Sequence, residues 1–427
     1  MDREWFFNNL KKLLGALKRL SAGTVLLIWA LTMIAGVFLY KILNRNKPGK
    51  EVSLNFATWW EDELEGEVIS SLAAEYEALN PGITIRLEKK SWDEILELLE
   101  GKAVPENSRN AQKPGTPDIF SIDPYAIYEL EKNSHLAALE SGRDFSGNVV
   151  SIISFINPLY YNIELLEAAG FDRPPKNQTE FLSYVQRLRE TGVHGMGLAL
   201  SDSRSVSRQL LSWIWAATGN PASSPFNFTS KDAVDTLTFL NQLKQNLYAN
   251  PFELSEAELL DAFGNGKIGM MIGSVKDVKD LKKTKINFSI TTIPAPVSYT
   301  KRPVFPLTVW YAGVNSGTAF PEEAKDFVSY LKKKAGDIAA AAYAVPGSGM
   351  LNREQSRNDP YYAKAFDMYE AGEMIRELYN TPNIKELNSI ILREVRLMFQ
   401  GNKTPQECAE AMQREWENLV GTEVSVH

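Results

Sequence analysis

The sequence predicts an α/β protein of two lobes carried behind a single N-terminal transmembrane helix. Three observations predict it. At 427 residues the chain exceeds one ordinary domain and fits two with a tail to spare. Leu20 to Tyr40 holds no charged residue. From residue 51 onward, short β-like runs alternate with amphipathic helical stretches, the pattern of a parallel sheet covered by helices. Apolar residues make up 44% of the chain, enough for a core in each lobe.

The uncharged run is bounded by Arg19 and Lys41. As a helix rising about 1.5 Å per residue it crosses a hydrocarbon core of about 30 Å. Val37-Phe38-Leu39-Tyr40 followed by Lys41-Ile42-Leu43 offers no small-residue cleavage site. Residues 20–43 are therefore expected to stay as a bilayer anchor rather than leave as a signal peptide. Lysines and arginines flank both ends, with only a weak lean toward a cytoplasmic N-terminus and an extracytoplasmic C-terminal part. Ahead of the span, residues 1–19 place Leu10, Leu13, Leu14 and Leu17 at helical spacing. They read as an interfacial amphipathic segment or as an extension of the same helix. Residues 44–50, with Pro48-Gly49, form a linker.

Beyond the linker, 52–58 reads as a strand and 61–80 as a helix stopped by Asn80-Pro81-Gly82. A strand at 83–87 and a helix at 92–99 follow. Residues 101–117 are polar and rich in Pro, Asn and Lys, as in an exposed loop. The strand 118–122 ends in Asp123-Pro124-Tyr125, and 149–156 is a further apolar strand. A helix from Asn162 closes at Gly170, before Pro174-Pro175. Helices are expected at 181–189 and 208–218, and strands at 268–272, 286–293 and 308–314. Helical stretches at 321–333, 338–343, 361–379, 384–399 and 404–420 complete the chain.

A formal charge of −7 argues against nucleic acid, because phosphate binding needs a basic face. Cys408 is the single cysteine, which excludes an intramolecular disulfide and a cysteine-built metal site. His135, His194 and His427 lie far apart in sequence. Nucleophile-elbow, Walker, dinucleotide and zinc-protease motifs do not occur. The chain reads as a binding protein without a cofactor, not an enzyme.

Aromatic residues cluster at strand ends. Trp59 and Trp60 stand where the first strand gives way to a helix, Tyr125 follows Asp123, and Trp310 with Tyr311 lies near Gly313. Ligands of open α/β sheets bind outside the carboxyl ends of strands, where indole and phenol rings can stack on sugar faces. The bland reading is core packing, and it is favoured for Trp213 and Trp215, which share a helical stripe with Leu210 and Leu211.

Several segments carry a resemblance. Asn55-Phe56-Ala57-Thr58-Trp59-Trp60, Asn80-Pro81-Gly82-Ile83, Thr116-Pro117-Asp118-Ile119 and Pro158-Leu159-Tyr160-Tyr161-Asn162 are followed by Ala168-Ala169-Gly170-Phe171. Phe263-Gly264-Asn265-Gly266-Lys267-Ile268-Gly269-Met270, Phe288-Ser289-Ile290-Thr291-Thr292-Ile293-Pro294 and Gly401-Asn402-Lys403-Thr404-Pro405 close the series. In this order the chain resembles the extracellular solute-binding proteins of ABC importers, of the maltose and multi-sugar type, from about Val52 to the C-terminus. The resemblance implies a two-lobe periplasmic-binding-protein (Venus-flytrap) fold. Residues 51–155 and 294–333 would form the first lobe, 156–293 and 334–427 the second, with crossings near Ile156-Asn157-Pro158 and Ile293-Pro294. It implies a small polar solute, expected to be a sugar or glycoside, held by hinge closure and delivered to ABC permease subunits. The implied site is Trp59, Trp60, Glu61, Asp123, Tyr125, Asp202, Arg204, Ser274, Trp310 and Tyr311.

The chain departs from the family at three points. Val275 follows Gly273-Ser274 where many sugar binders carry Trp, and Ile390-Ile391-Leu392 follows Pro382-Asn383-Ile384 without aromatics. No lipobox cysteine precedes the soluble part. These departures leave a second reading open, the same fold as a tethered sensor or interaction module with a degenerate cleft.

Overall fold

Eleven strands in two sheets organise the chain in the computed structural model, which describes residues 51–100, 115–139, 147–219, 226–347, 359–376 and 383–424. The segments 1–19, 20–43 and 44–50 lie outside the described residues. Among the described residues no helix is long and apolar enough to cross a membrane.

The strands are β1 (Val52–Thr58), β2 (Ile83–Lys89), β3 (Ile119–Ile122), β4 (Val149–Ile156), β5 (Leu159–Asn162) and β6 (His194–Met196). They continue as β7 (Ile268–Ile272), β8 (Phe288–Thr291), β9 (Val304–Val314), β10 (Val345–Pro346) and β11 (Glu373–Arg376). One sheet runs β10-β4-β9-β3-β1-β2, with β11 pairing to β9, and the other runs β6-β7-β5-β8. Every residue of β4, β5 and β7 is buried. That is the burial expected of strands covered on both faces.

The first sheet is mixed rather than parallel. β1 and β3 pair in parallel, but β9 runs antiparallel to both β3 and β4. The reason is connectivity: β9 returns from the second sheet through residues 292–303 instead of from a local crossover helix. The chain first passes between the sheets at Asn157 and Pro158, where β4 ends in one and β5 begins in the other. Tyr369 pins that passage, because its hydroxyl accepts from Ile156 N at 2.9 Å and donates to the Ser154 carbonyl at 2.7 Å.

Contacts divide the described residues into two compact units, one of residues 51–53 with 77–84 and one of residues 54–76 with those from 85 onward. In the small unit, Val52 N–H donates to the Gly82 carbonyl at 2.9 Å. Gly82 holds φ at +99°, a conformation that favours glycine. The large unit contains the remaining parts of both sheets.

Three expectations are corrected. The helix at 61–80 is two pieces, Trp60–Glu63 and Val68–Leu79, because Gly66 turns the chain at φ +76°. The helix at 361–379 ends at Ala371 and the chain re-enters the first sheet as β11. Residues 334–427 are therefore shared between the sheets. β10 and β11 pair with β4 and β9, whereas the helices Ile384–Phe399 and Pro405–Val424 pack into the core around the second sheet. That core also buries Trp213, Trp215, Phe181 and Phe239, with Trp213 against Phe181 at 5.1 Å. Cys408 is sealed in it, and burial pushes its thiol up to about 12.

Candidate functional site

A cavity of about 480 Å³ opens between the two sheets. From the first-sheet side it is walled by Trp59, Trp92, Asp123, Tyr125, Thr308 and Trp310 among others. From the second-sheet side come Ser201, Asp202, Arg204, Arg208, Glu256 and Lys276. The size is that of an ordinary small-molecule pocket.

Local structure explains how each group arrives there. Trp59 lies one residue past β1, half-buried, with its ring edge-on to Trp92 at 6.4 Å. Trp92 opens the helix Trp92–Leu99, fixed by a capping box in which Ser91 and Glu94 satisfy each other's backbone N–H groups. Trp310 and Thr308 point to the cavity from alternate positions of β9. The Trp310 ring is wedged between Trp60, stacked at 5.4 Å with 3° between planes, and Phe155, edge-on at 5.0 Å. Asp123 leaves β3 and accepts from Tyr125 N at 2.9 Å, which turns Tyr125 into the cavity.

The electrostatics divide the acids into two kinds. Asp202 accepts from Arg204 N and Nε, each at 2.8 Å. Burial alone would raise its carboxyl, but the Arg204 bonds outweigh that and hold it below the usual range. Asp123 is raised instead, chiefly by loss of solvent, although Tyr125 N–H and the charges of Arg204 and Lys385 oppose the shift. A group able to donate a hydrogen bond to Asp123 would relieve that cost, and a sugar hydroxyl has this chemistry.

Of the ten residues singled out in the sequence, the structure brings six to this cavity: Trp59, Asp123, Tyr125, Asp202, Arg204 and Trp310. Four do not line it. Trp60 is fully buried behind Trp310, and Tyr311 is fully buried because the neighbour of an inward-facing strand residue faces away. Glu61 turns back to the helix Val68–Leu79, where its carboxylate accepts from Ile69 N at 2.8 Å and Ser70 N at 3.1 Å. Ser274 is buried beside the second sheet. It donates its N–H to Asp277 Oδ2 at 2.7 Å and receives the Tyr160 hydroxyl on its carbonyl at 2.6 Å.

Trp92, Glu63, Arg208, Glu256 and Lys276 line the cavity without having been singled out. Trp92 had a signal, since it follows a strand exit in the same way as Trp59 does. The others stand on helices or turns whose inner face depends on the partner lobe. Lys276 reaches across to form an ion pair with Glu63, and Arg208 lies 3.4 Å from Glu256. Among the described residues no group of His, Cys, Asp and Glu could hold a metal ion.

The same architecture occurs in solved structures. An ABC substrate-binding protein of Listeria monocytogenes in complex with cycloalternan aligns over 87% of this chain and all of its own, with a TM-score of 0.65 and 15% identity. The GacH receptor of Streptomyces glaucescens, solved unliganded and with acarbose, aligns over 86% of this chain and 98% of its own, with a TM-score of 0.68 and 16% identity. A solute-binding protein of Agrobacterium radiobacter in complex with ribitol gives a TM-score of 0.66 at 18% identity, over 87% of this chain and all of its own. These likenesses establish the two-lobe fold. In sequence, a protein of Escherichia coli that carries the name ABC transporter periplasmic-binding protein YcjN is 25% identical over 326 residues, 70% of this chain and 73% of its own. The model of the bacterial extracellular solute-binding proteins matches residues 60–338, and the chain belongs to that family.

Proposed function

We propose that the chain is the substrate-binding subunit of an ABC importer, that it captures a sugar or polyol between its lobes, and that it passes the solute to a permease. As a member of a solute-binding family it is not an enzyme. In this reading the first lobe is built on the seven-stranded sheet and the second on the four-stranded sheet with the helices of residues 384–424. Residues 20–43 anchor the chain in the membrane and the lobes stand on the extracytoplasmic side.

One observation carries the reading. Trp59, Trp92, Tyr125 and Trp310 meet Asp123, Asp202 and Arg204 around a single cavity walled by both lobes. Flat rings offer stacking faces, and the charged and hydroxyl groups offer both donors and acceptors. A polyhydroxylated ring or chain uses both. The complexes of the structural relatives with cycloalternan, acarbose and ribitol are in keeping with it. Val275, standing where many sugar binders carry Trp, keeps a tethered sensor with a weakened cleft as the second reading.

The test is a thermal-shift screen of residues 51–427 against sugars, alditols, amino acids and oligopeptides, followed by calorimetry on each hit. Saturation at a hundred times the dissociation constant adds about 2.7 kcal/mol of apparent stability. Hits confined to sugars and alditols are expected. Hits confined to amino acids or peptides would overturn the sugar assignment, and silence across all classes would transfer the case to the sensor. For the anchor, the full chain should sediment with membranes and residues 51–427 should not.

A further inference from the structure

Beside the main cavity lies a second, smaller space of about 290 Å³, walled by Arg208, Gln209, Glu256, Ala257, Asp277 and Lys279 among others. Among the described residues no aromatic side chain lines it. Four residues border both spaces: Glu63, Lys276, Arg208 and Glu256. The shared wall is therefore two ion pairs, Glu63 with Lys276 and Arg208 with Glu256. The first of them joins the two lobes.

The smaller space has acceptors to spare. Gln209 is 1% exposed and gives its Nε2 to the Ile272 carbonyl at 3.1 Å, yet its Oε1 has no hydrogen-bond partner. Glu256 Oε1 is likewise buried and unmatched. Buried acceptors left in this state favour a guest that brings donors. Lys279 also lines it, with its ammonium already donating to the Asp62 and Leu64 carbonyls. Such a wall suits hydroxyl groups, which donate and accept, better than a flat ring needing a stacking face.

We propose that the Glu63–Lys276 pair is a gate on ligand length, and that the space behind it is a second subsite for a polar, non-stacking extension of the solute. Solutes that fit the main cavity leave the pair closed. Longer ones must part it to reach Gln209, which lines the smaller space alone. Both partners keep substantial solvent contact, with side chains 28% and 34% exposed, so the pair is weak enough for a ligand to displace. The inference rests on the sugar-binding reading above.

The experiment is calorimetry with saccharides of one to four units and their alditols, on the full chain as wild type, Lys276→Met, and Lys276→Met with Ala257→Trp. In the wild type, affinity should stop rising once length exceeds the main cavity. Lys276→Met should raise the ratio of long-ligand to short-ligand affinity at least tenfold. Ala257→Trp, which fills the smaller space, should return that ratio to the wild-type value. An unchanged ratio in Lys276→Met overturns the gate while leaving sugar binding intact. A gain that survives Ala257→Trp overturns the subsite. A wild type that binds none of the series overturns the sugar reading, and the gate falls with it.

Discussion

At Trp59 the ring is half-buried at the cavity wall, whereas Trp60 is sealed between Phe56 and Trp310. Truncating each should therefore fail in a different assay. Trp59→Ala should lower ligand affinity tenfold or more and shift unfolding by less than about 1 kcal/mol. Trp60→Ala should lose about 3–5 kcal/mol in denaturant titrations, because it empties a packed core. Equal stability losses in the two would contradict the placement. Asp277 gives a pH signature. Burial pushes its carboxyl up to about 6, against the opposing charges of Lys276 and Arg208, while an unfolded aspartate titrates near about 3.9. The folded state then holds the proton more tightly, so this group's stabilisation is complete below about pH 4 and is lost as pH rises to about 6. Asp277→Asn should flatten that part of the stability profile and gain about 3 kcal/mol at pH 7.5, and parallel profiles for variant and wild type would refute it. Which member of an adjacent pair faces a cleft was not legible in the sequence. Trp310 and Tyr311 both scored as strand-end aromatics, and only pairing of β9 with β3 and β4 decides which one looks outward.

Within the segment from Val275 to Lys282, three lysines recur every third residue, and the first two reach the other lobe. Lys276 pairs with Glu63, Lys279 donates to the carbonyls of Asp62 and Leu64, and Lys282 donates to Tyr343 and Asp359, each at 2.8 Å. Helical spacing places them along one face. These contacts clasp the element to the first lobe. Replacing all three by Met should enlarge the radius of gyration measured by X-ray scattering without ligand, and saturating ligand should reverse the change. A ligand-free triple variant as compact as wild type would remove the clasp. Glu61→Ala should cost about 1 kcal/mol through the lost helix cap while affinity stays within threefold, since its carboxylate faces Ile69 and Ser70. Long elements were legible: β1, β4, β7 and the helices at 92–99, 321–333 and 384–399 fall where periodicity put them. β10 has two residues and β11 four, too few to carry a period, so the return of the tail to the first sheet could not be read.

At the scale of the molecule, the βα alternation and the length were enough to announce two α/β lobes. The mixed strand directions were not, because they depend on where the chain crosses between sheets. Trp92, Lys276 and Glu63 escaped for the same reason, since a cleft between lobes is assembled by docking and not by local sequence. The buried Cys408 has a practical consequence. With its thiol pushed up to about 12 and shut inside the helical core, it holds almost no reactive thiolate at neutral pH. Cysteines introduced at Glu322 on the first lobe and Lys231 on the second, both largely exposed, would then take fluorophores without removal of the native one. Energy transfer between the two dyes would follow lobe movement, solute by solute, in real time.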